Sequence, residues 1–260
     1  AATLVTSLER PGVTPEQRAV LLSDLQREWR AILASPDTRR AAQQITESPP
    51  PRVYSWVKAV GYESFRVVSS SRPALVNRML VDVASDRRQS PFDALAEMVE
   101  TEGSTAKLTL GAVDELEMRR LLAQPVAMLS SDGHEAGVEG GRGHPRYRGS
   151  FARVLARYVR ENPVLTLPQA VHKMSGQSAQ YLGLTDRGVI RVGAYADLGV
   201  FDADKVTDRS TWDHPELYAD GFRHVFVNGA AAMLDGDTTG ALAGRYVPYS
   251  ASPSRLEKSR

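Results

Sequence analysis

The stretch Pro125–Arg160 holds the residue types and spacing that are best suited to chemistry in this sequence. Its short apolar run, Val126–Leu129, is bounded by turn residues and predicts a buried strand. Asp132 follows closely, and a carboxylate just past a buried strand is where a (β/α)8 barrel keeps its chemistry. A glycine-rich loop, a cationic anchor at Arg146 and an amphipathic helix come next. Asp132-Gly133 is equally compatible with a solvated turn, because Asp-Gly is a common turn pair.

Composition sets limits on the kind of protein. The 260 residues are 42% hydrophobic, which is ample for a buried core and for one or two domains. The net charge is +1 with both signs interspersed, which argues against a nucleic-acid partner, and no apolar run is long enough to cross a membrane. The chain has no cysteine, so disulfides and thiolate ligands are excluded, and the compartment stays open between cytoplasmic and secreted.

Hydrophobic periodicity predicts alternating helices and strands. Predicted helices cover Pro15–Ala34, Pro36–Thr46, Arg78–Arg87, Pro91–Glu100, Asp114–Ala123, Ser150–Arg160 and Gln177–Leu182. A further helix, which holds His172, begins at a capping box of Thr166 and Gln169, and Ser35 is the predicted N-cap of the helix from Pro36. Predicted strands cover Val53–Val57, Phe65–Ser69, Ala106–Leu110, Val126–Leu129, residues 193–202 and a hairpin over 225–233 with an Asn-Gly turn. Three of these strands alternate with helices, which favours an α/β barrel with parallel strands.

Three patterns resemble the closing part of one enzyme family. They are S-D-G at 131–133, H-P-R at 144–146 and G-S-F-x-R-V-L-x-R-Y-V-R at 149–160, and they resemble the N-acyl-D-amino-acid deacylases, or D-aminoacylases, of the amidohydrolase superfamily. The similarity is clear over about Phe65–Val247 and weak over the first sixty residues. It implies an α/β fold in three parts. These are the C-terminal half of a metal-dependent (β/α)8 barrel over 1–187, the C-terminal part of a small β-sandwich over 188–250, and a tail over 251–260.

The resemblance also implies roles for individual residues. Asp132 would lie beside zinc at the end of the last barrel strand, as the general acid/base and a possible metal ligand. Arg146 would hold the carboxylate of the substrate. Ser131 and His144 are neighbours of these two residues and are candidate substrate contacts. Thr3 is a further candidate, because the resemblance places the first fourteen residues in a Ser/Thr-rich loop near the substrate.

The sequence does not supply a complete metal site. A zinc site needs several converging ligands, and none of the histidines forms an H-x-H pair or an i, i+4 pair. The histidines are His134, His144, His172, His214 and His224. The metal-binding residues of the family belong to the N-terminal half of the barrel, and no segment of this chain matches them. Most zinc ligands are therefore expected from that half.

The same reasoning predicts a partner chain. The sequence accounts for three or four barrel strands where eight close a barrel, and the open edges would expose unpaired backbone. The chain also begins at Ala1 with no initiator Met and no intact signal peptide, which removal of a leader or an internal cut would explain. We expect the C-terminal half of an amidohydrolase, paired with an N-terminal-half chain as a heterodimer or larger assembly.

The favoured function is zinc-dependent hydrolysis of the amide bond of N-acyl amino acids of the D series, with release of a carboxylic acid and the free amino acid. Gly133–Gly143 would be a lid over the substrate. One alternative is a cyclic-amide hydrolase of the hydantoinase or dihydroorotase kind, against which the H-P-R pattern argues. The other is a non-catalytic interaction subunit, which would hold no metal.

Overall fold

The computed structural model describes residues 14–103, 106–133 and 143–248. The described chain divides into two compact units, with the boundary between Asp114 and Glu115. The predicted domain boundary at residue 187 lies inside the second unit and stays a prediction. Within the described ranges, every helix is too short or too polar to cross a lipid bilayer.

Helices dominate the described part of the first unit. They are α1 (Pro15–Ala34), α2 (Pro36–Glu47), α3 (Trp56–Val60), α4 (Leu80–Asp86) and α5 (Pro91–Glu102), with 3-10 turns at Tyr62–Ser64 and Pro73–Leu75. Thr14 and Gln17 form a capping box at the start of α1, and the Ser90 hydroxyl accepts the Asp93 N–H at the start of α5. Ser35 precedes α2 as predicted, but its side chain makes no capping bond. The predicted helices of this unit are confirmed to within a few residues.

The first unit also contains a two-stranded sheet of β1 (Phe65–Ser69) and β2 (Lys107–Leu110). Both strands are confirmed, but they pair antiparallel, so the prediction of parallel strands is wrong for this pair. Two helices, α4 and α5, separate the strands, whereas a parallel crossover typically uses one. The predicted strand Val53–Val57 is also wrong, because the Ser55 hydroxyl accepts the Lys58 N–H and starts α3.

The loop that follows β1 is held by one buried carboxylate. Glu102 has a side chain only 1% exposed, and it accepts hydrogen bonds from the Ser70 hydroxyl (2.7 Å), the Ser71 N–H (2.7 Å) and Arg72 Nε (2.9 Å). Burial opposes ionisation, but these hydrogen bonds outweigh it and lower the pKa of the Glu102 carboxyl. Arg72 also pairs with Glu97 at 2.6 Å, so the loop is fastened to α5 at two points.

The second unit begins with α6 (Glu115–Ala123) and continues, after the segment 124–133, with α7 (Arg146–Arg153). The helix does not end at Arg153 but changes to a π-helix over Val154–Glu161. It is followed by α8 (Leu167–Met174) and α9 (Gly176–Tyr181), and Thr166 forms the predicted capping box with Gln169. These elements share a core whose buried members are Leu122, Ala152, Val154, Leu155, Tyr158, Leu165, Ala170 and Val206.

A four-stranded antiparallel sheet completes the described part of the second unit. Its strands β3 (Leu198–Phe201), β4 (Phe222–Val227), β5 (Ala230–Leu234) and β6 (Asp237–Thr238) pair in chain order. The predicted hairpin is confirmed: Asn228 and Gly229 connect β4 to β5 with φ of 49° and 83°. Positive φ at both positions is what a type I′ hairpin turn requires, and Asn-Gly tolerates it well.

Candidate functional site

The segment 124–133 carries the predicted acid, but it does not contain the predicted strand. Residues 127–133 have no regular secondary structure, and Val126 is 83% exposed, so the prediction of a buried strand over Val126–Leu129 is wrong for this chain. No strand of the described residues pairs with this segment, so its backbone forms no interstrand hydrogen bonds with them. Leu129 nevertheless packs against the core of the second unit and fixes the run just before the acid.

Asp132 occupies a special backbone position. Its φ is +45°, a left-handed conformation that Asp tolerates better than most residues, and its N–H donates to the Ser130 hydroxyl at 3.4 Å. The next residue must be Gly, because a Cβ on Gly133 would lie 2.5 Å from Cα of Tyr147. The Asp-Gly pair is therefore more than a solvated turn: its backbone lies directly against the start of α7.

That close approach brings two opposite charges together. Arg146 is the first residue of α7, and its Nη2 lies 3.1 Å from Oδ2 of Asp132. The side chains are 41% and 82% exposed, so solvent screens the pair and it contributes little to stability. An exposed pair of this kind can exchange one partner for another anion at small cost.

His144 fixes the backbone at the start of α7. Its Nδ1 accepts the Arg146 N–H at 3.0 Å, so the proton of the neutral ring lies on Nε2. The ring lies edge-on to Trp212, with 4.5 Å between centroids. Burial, followed by the positive charge of Arg146, lowers the pKa of His144 to about 4, although Asp132 acts in the opposite direction. His144 is therefore a neutral acceptor near pH 7.

The segment Asp208–Tyr218 supports α7 along its length. Gly149 is buried where a Cβ would lie 3.3 Å from Cβ of Asp208, and Arg153 pairs with Asp208 at 3.1 Å. The Arg148 guanidinium lies 3.9 Å from the centroid of the Tyr218 ring. Trp212 was not among the predicted site residues, since nothing in its local sequence distinguishes it from a packing aromatic.

The predicted site residues are only partly brought together. Asp132, His144 and Arg146 form one cluster, with Ser131 half-buried beside Asp132 and without a role in these contacts. Thr3 and most of the predicted lid lie outside the described residues.

The described residues do not fit a zinc site. Across residues 14–103, 106–133 and 143–248, no three His, Asp or Glu side chains converge as metal ligands would. Zinc in proteins takes at least three protein ligands, and this cluster offers the carboxylate of Asp132 and the ring of His144, whose Nδ1 is already an acceptor. The expectation that the other ligands come from an N-terminal-half partner chain stays a prediction.

His144 provides a test of this geometry by pH. Because folding lowers its pKa from 6.5 to about 4, the unfolded chain binds this proton more readily. The stabilisation is fully present above pH 6.5 and is lost as the pH falls from 6.5 towards 4. A histidine-detected NMR titration should give a His144 midpoint near 4, and His144→Gln should flatten the pH dependence of the free energy of unfolding over this window. A midpoint near 6.5 would contradict the half-buried placement of the ring.

Comparison with known proteins shows which family the chain belongs to. The model of the amidohydrolase family matches residues 56–232, which is more than half of the chain. The N-acyl-D-glutamate deacylase of Alcaligenes xylosoxydans xylosoxydans is 52% identical over 122 residues, which are 47% of this chain and 24% of the relative.

Two solved structures agree with this match. A D-aminoacylase described with a binuclear metal centre is 37% identical, with a TM-score of 0.62 over 70% of this chain and 37% of its own. An N-acyl-D-glutamate deacylase from Bordetella bronchiseptica, in complex with zinc and a phosphonate inhibitor, is 38% identical, with a TM-score of 0.59 over 70% of this chain and 38% of its own. The chain thus spans well under half the length of these relatives. It belongs to the amidohydrolase family, with the α/β fold of that family, and is similar within it to the N-acyl-D-amino-acid deacylases.

Proposed function

We propose that this chain forms the C-terminal half of a zinc-dependent hydrolase that cleaves N-acyl-D-amino acids into a carboxylic acid and the free amino acid. The observation that carries the proposal is the exposed pair of Asp132 and Arg146, 3.1 Å apart, within the residues that match the amidohydrolase family. Similarity to relatives named for D-glutamate and D-amino acid substrates supports the stereochemistry.

Arg146 would bind the α-carboxylate of the substrate. Its guanidinium already holds one carboxylate, that of Asp132, in a screened and weak pair. A substrate carboxylate can replace Asp132 there and gain two parallel hydrogen bonds from the planar guanidinium. His144 would keep the backbone of Arg146 in place, with Ser131 and Thr3 as further substrate contacts.

Asp132 would move the protons of the reaction. Once the substrate carboxylate has replaced Asp132 on Arg146, the Asp132 carboxylate is free to accept the proton of the attacking water and to deliver it to the leaving amine. Its 82% exposure supports this role, because both water and substrate can reach the carboxylate.

The remaining parts of the enzyme would come from a second chain. We assign to that N-terminal-half chain the zinc ligands and the missing strands of a barrel whose C-terminal half is residues 1–187. Residues 188–250 would contribute part of a β-sandwich. Two findings support this: the described residues do not fit a zinc site, and the matched residues cover only 24% of one relative and 37% of another.

The first test is Asp132→Asn. The substitution keeps the size of the side chain but removes the base, so kcat should fall by about 10²–10⁴. Asp235→Asn is a matched control, since Asp235 also precedes a Gly, has φ of +50° and is 90% exposed. Hydrolysis of N-acetyl-D-amino acids by the native enzyme measures both, with the L series, hydantoin and dihydroorotate as comparison substrates. An Asp132→Asn enzyme as active as Asp235→Asn would remove Asp132 from the mechanism.

The second test is Arg146→Ala. Loss of a charged hydrogen-bonding partner should raise KM for N-acyl-D-amino acids about 10- to 100-fold. Arg146→Lys should recover little, because a point charge cannot form two parallel bonds. Arg153→Ala is the control, since Arg153 also lies on α7, is 45% exposed and pairs with a carboxylate at 3.1 Å. If Arg146→Ala distinguishes acid from amide substrates as well as wild type does, another residue anchors the carboxylate.

The third test is native mass spectrometry with metal analysis of the purified enzyme. We expect this chain and a second, different chain in one complex that contains zinc, and no zinc on this chain alone. Co-expression of the two should restore zinc and deacylase activity together. A single longer polypeptide with the same activity would contradict the two-chain arrangement and leave the deacylase assignment standing. An active, zinc-containing assembly of this chain alone would contradict the assignment of the ligands.

A further inference from the structure

The segment 124–133 must be held in place without a strand, and side chains of α8 and α9 hold it. We propose that Lys173 is a positioning residue that fixes this segment and so aims Asp132, an inference that rests on the proposed role of Asp132. Lys173 takes no part in the cluster of Asp132, His144 and Arg146.

Lys173 is an unusual residue to find in this core. It lies on α8 and is 5% exposed, one turn after the buried Ala170. Its Nζ donates to the carbonyl of Gln124 and, at 2.9 Å, to the carbonyl of Ala127. A buried amine is costly unless its hydrogen bonds are made, and an apolar side chain would fill the same space without that cost. The two carbonyls it binds are therefore the reason for a lysine here.

A second side chain acts on the same short run. Gln177 of α9 donates from Nε2 to the carbonyl of Pro125 at 2.7 Å. The Ser178 hydroxyl donates to the carbonyl of Lys173 at 3.0 Å and ties α9 to α8. The corner between the two helices thus binds three carbonyls among the four residues 124–127. These bonds take the place of the ladder that a strand would have supplied.

Further contacts fix the backbone between Ala127 and Asp132. Leu129 packs into the core, the Ser130 hydroxyl accepts the Asp132 N–H, and Gly133 lies against Tyr147. Without the lysine, the start of this run loses two of its anchors while its end keeps its contact with α7. The carboxylate of Asp132 would then shift relative to a substrate bound on Arg146, which lies on a separate element.

The experiment compares Lys173→Met with wild type in the native enzyme. We expect kcat to fall about 10²-fold, as for a misplaced catalytic group, with KM nearly unchanged because Arg146 is untouched. Gln177→Leu should give a smaller loss of the same kind, and Lys205→Met, at a lysine that is 73% exposed, should give none. In the Asp132→Asn background, Lys173→Met should cost nothing further. An equal loss in both backgrounds would show a general structural role and overturn the proposal.

Hydrogen exchange provides a readout that does not depend on activity. In Lys173→Met, the hydrogen-bonded amides of Gln124, Ala127 and Asp132 should exchange at least tenfold faster, while those of the hairpin 222–234 keep their rates. Unchanged exchange in 124–133 overturns the positioning role even if the wild-type enzyme is an active deacylase. If exchange is faster in the variant but the wild-type enzyme cleaves no N-acyl-D-amino acid, Lys173 does position the segment 124–133. The proposed function is then rejected instead.

Discussion

The candidate site depends on one steric constraint, the contact between Gly133 and the first turn of α7. The Cα of Tyr147 lies where any side chain at position 133 would begin, so two stretches of backbone meet without an intervening side chain. Asp132 directly precedes this contact and Arg146 directly precedes Tyr147, so the same contact brings both charges within 3.1 Å. A larger residue at 133 would push the two backbones apart and so separate the Asp132 carboxylate from the Arg146 guanidinium, although neither residue is itself changed.

Electrostatics at the site follow from where each group is buried. The charged groups Asp132 and Arg146 face solvent and can change partners, whereas the half-buried His144 is kept neutral by its surroundings. A neutral ring can accept the Arg146 N–H without repelling the guanidinium of the same residue. In the proposed reaction, binding of an anionic substrate would alter the partner of Arg146 and leave the support beneath it unchanged.

Local patterns in the sequence predicted the elements that local forces determine. The capping box at Thr166, the Asn228-Gly229 turn and the amphipathic helices needed only neighbouring residues, and the structure has them. The strand over Val126–Leu129 failed because an apolar run becomes a strand only where another strand pairs with it, and none of the described strands does. The direction of β2 relative to β1 failed for a similar reason, since pairing is a tertiary property.

The site was predicted in the same uneven way. Asp132 and Arg146 were found because a recognisable pattern surrounds them, and the structure brings them together, while their roles stay proposals. Trp212 and Lys173 were missed, because each acts on residues between 46 and 68 positions away in the chain. The signal that could have identified Lys173 is its position one turn from Ala170, on the buried face of α8.

The π-helix over Val154–Glu161 has a consequence for chain length. Each i to i−5 hydrogen bond encloses one residue more than the α-helical bond does, as in the bond from the Asn162 N–H to the Arg157 carbonyl at 2.7 Å. A chain one residue shorter here could close α-helical bonds instead and still join the first turn of α7 to Leu165 in the core. A deletion of one residue here would therefore be absorbed by a change from π-helix to α-helix, and it would leave Arg146 where it is.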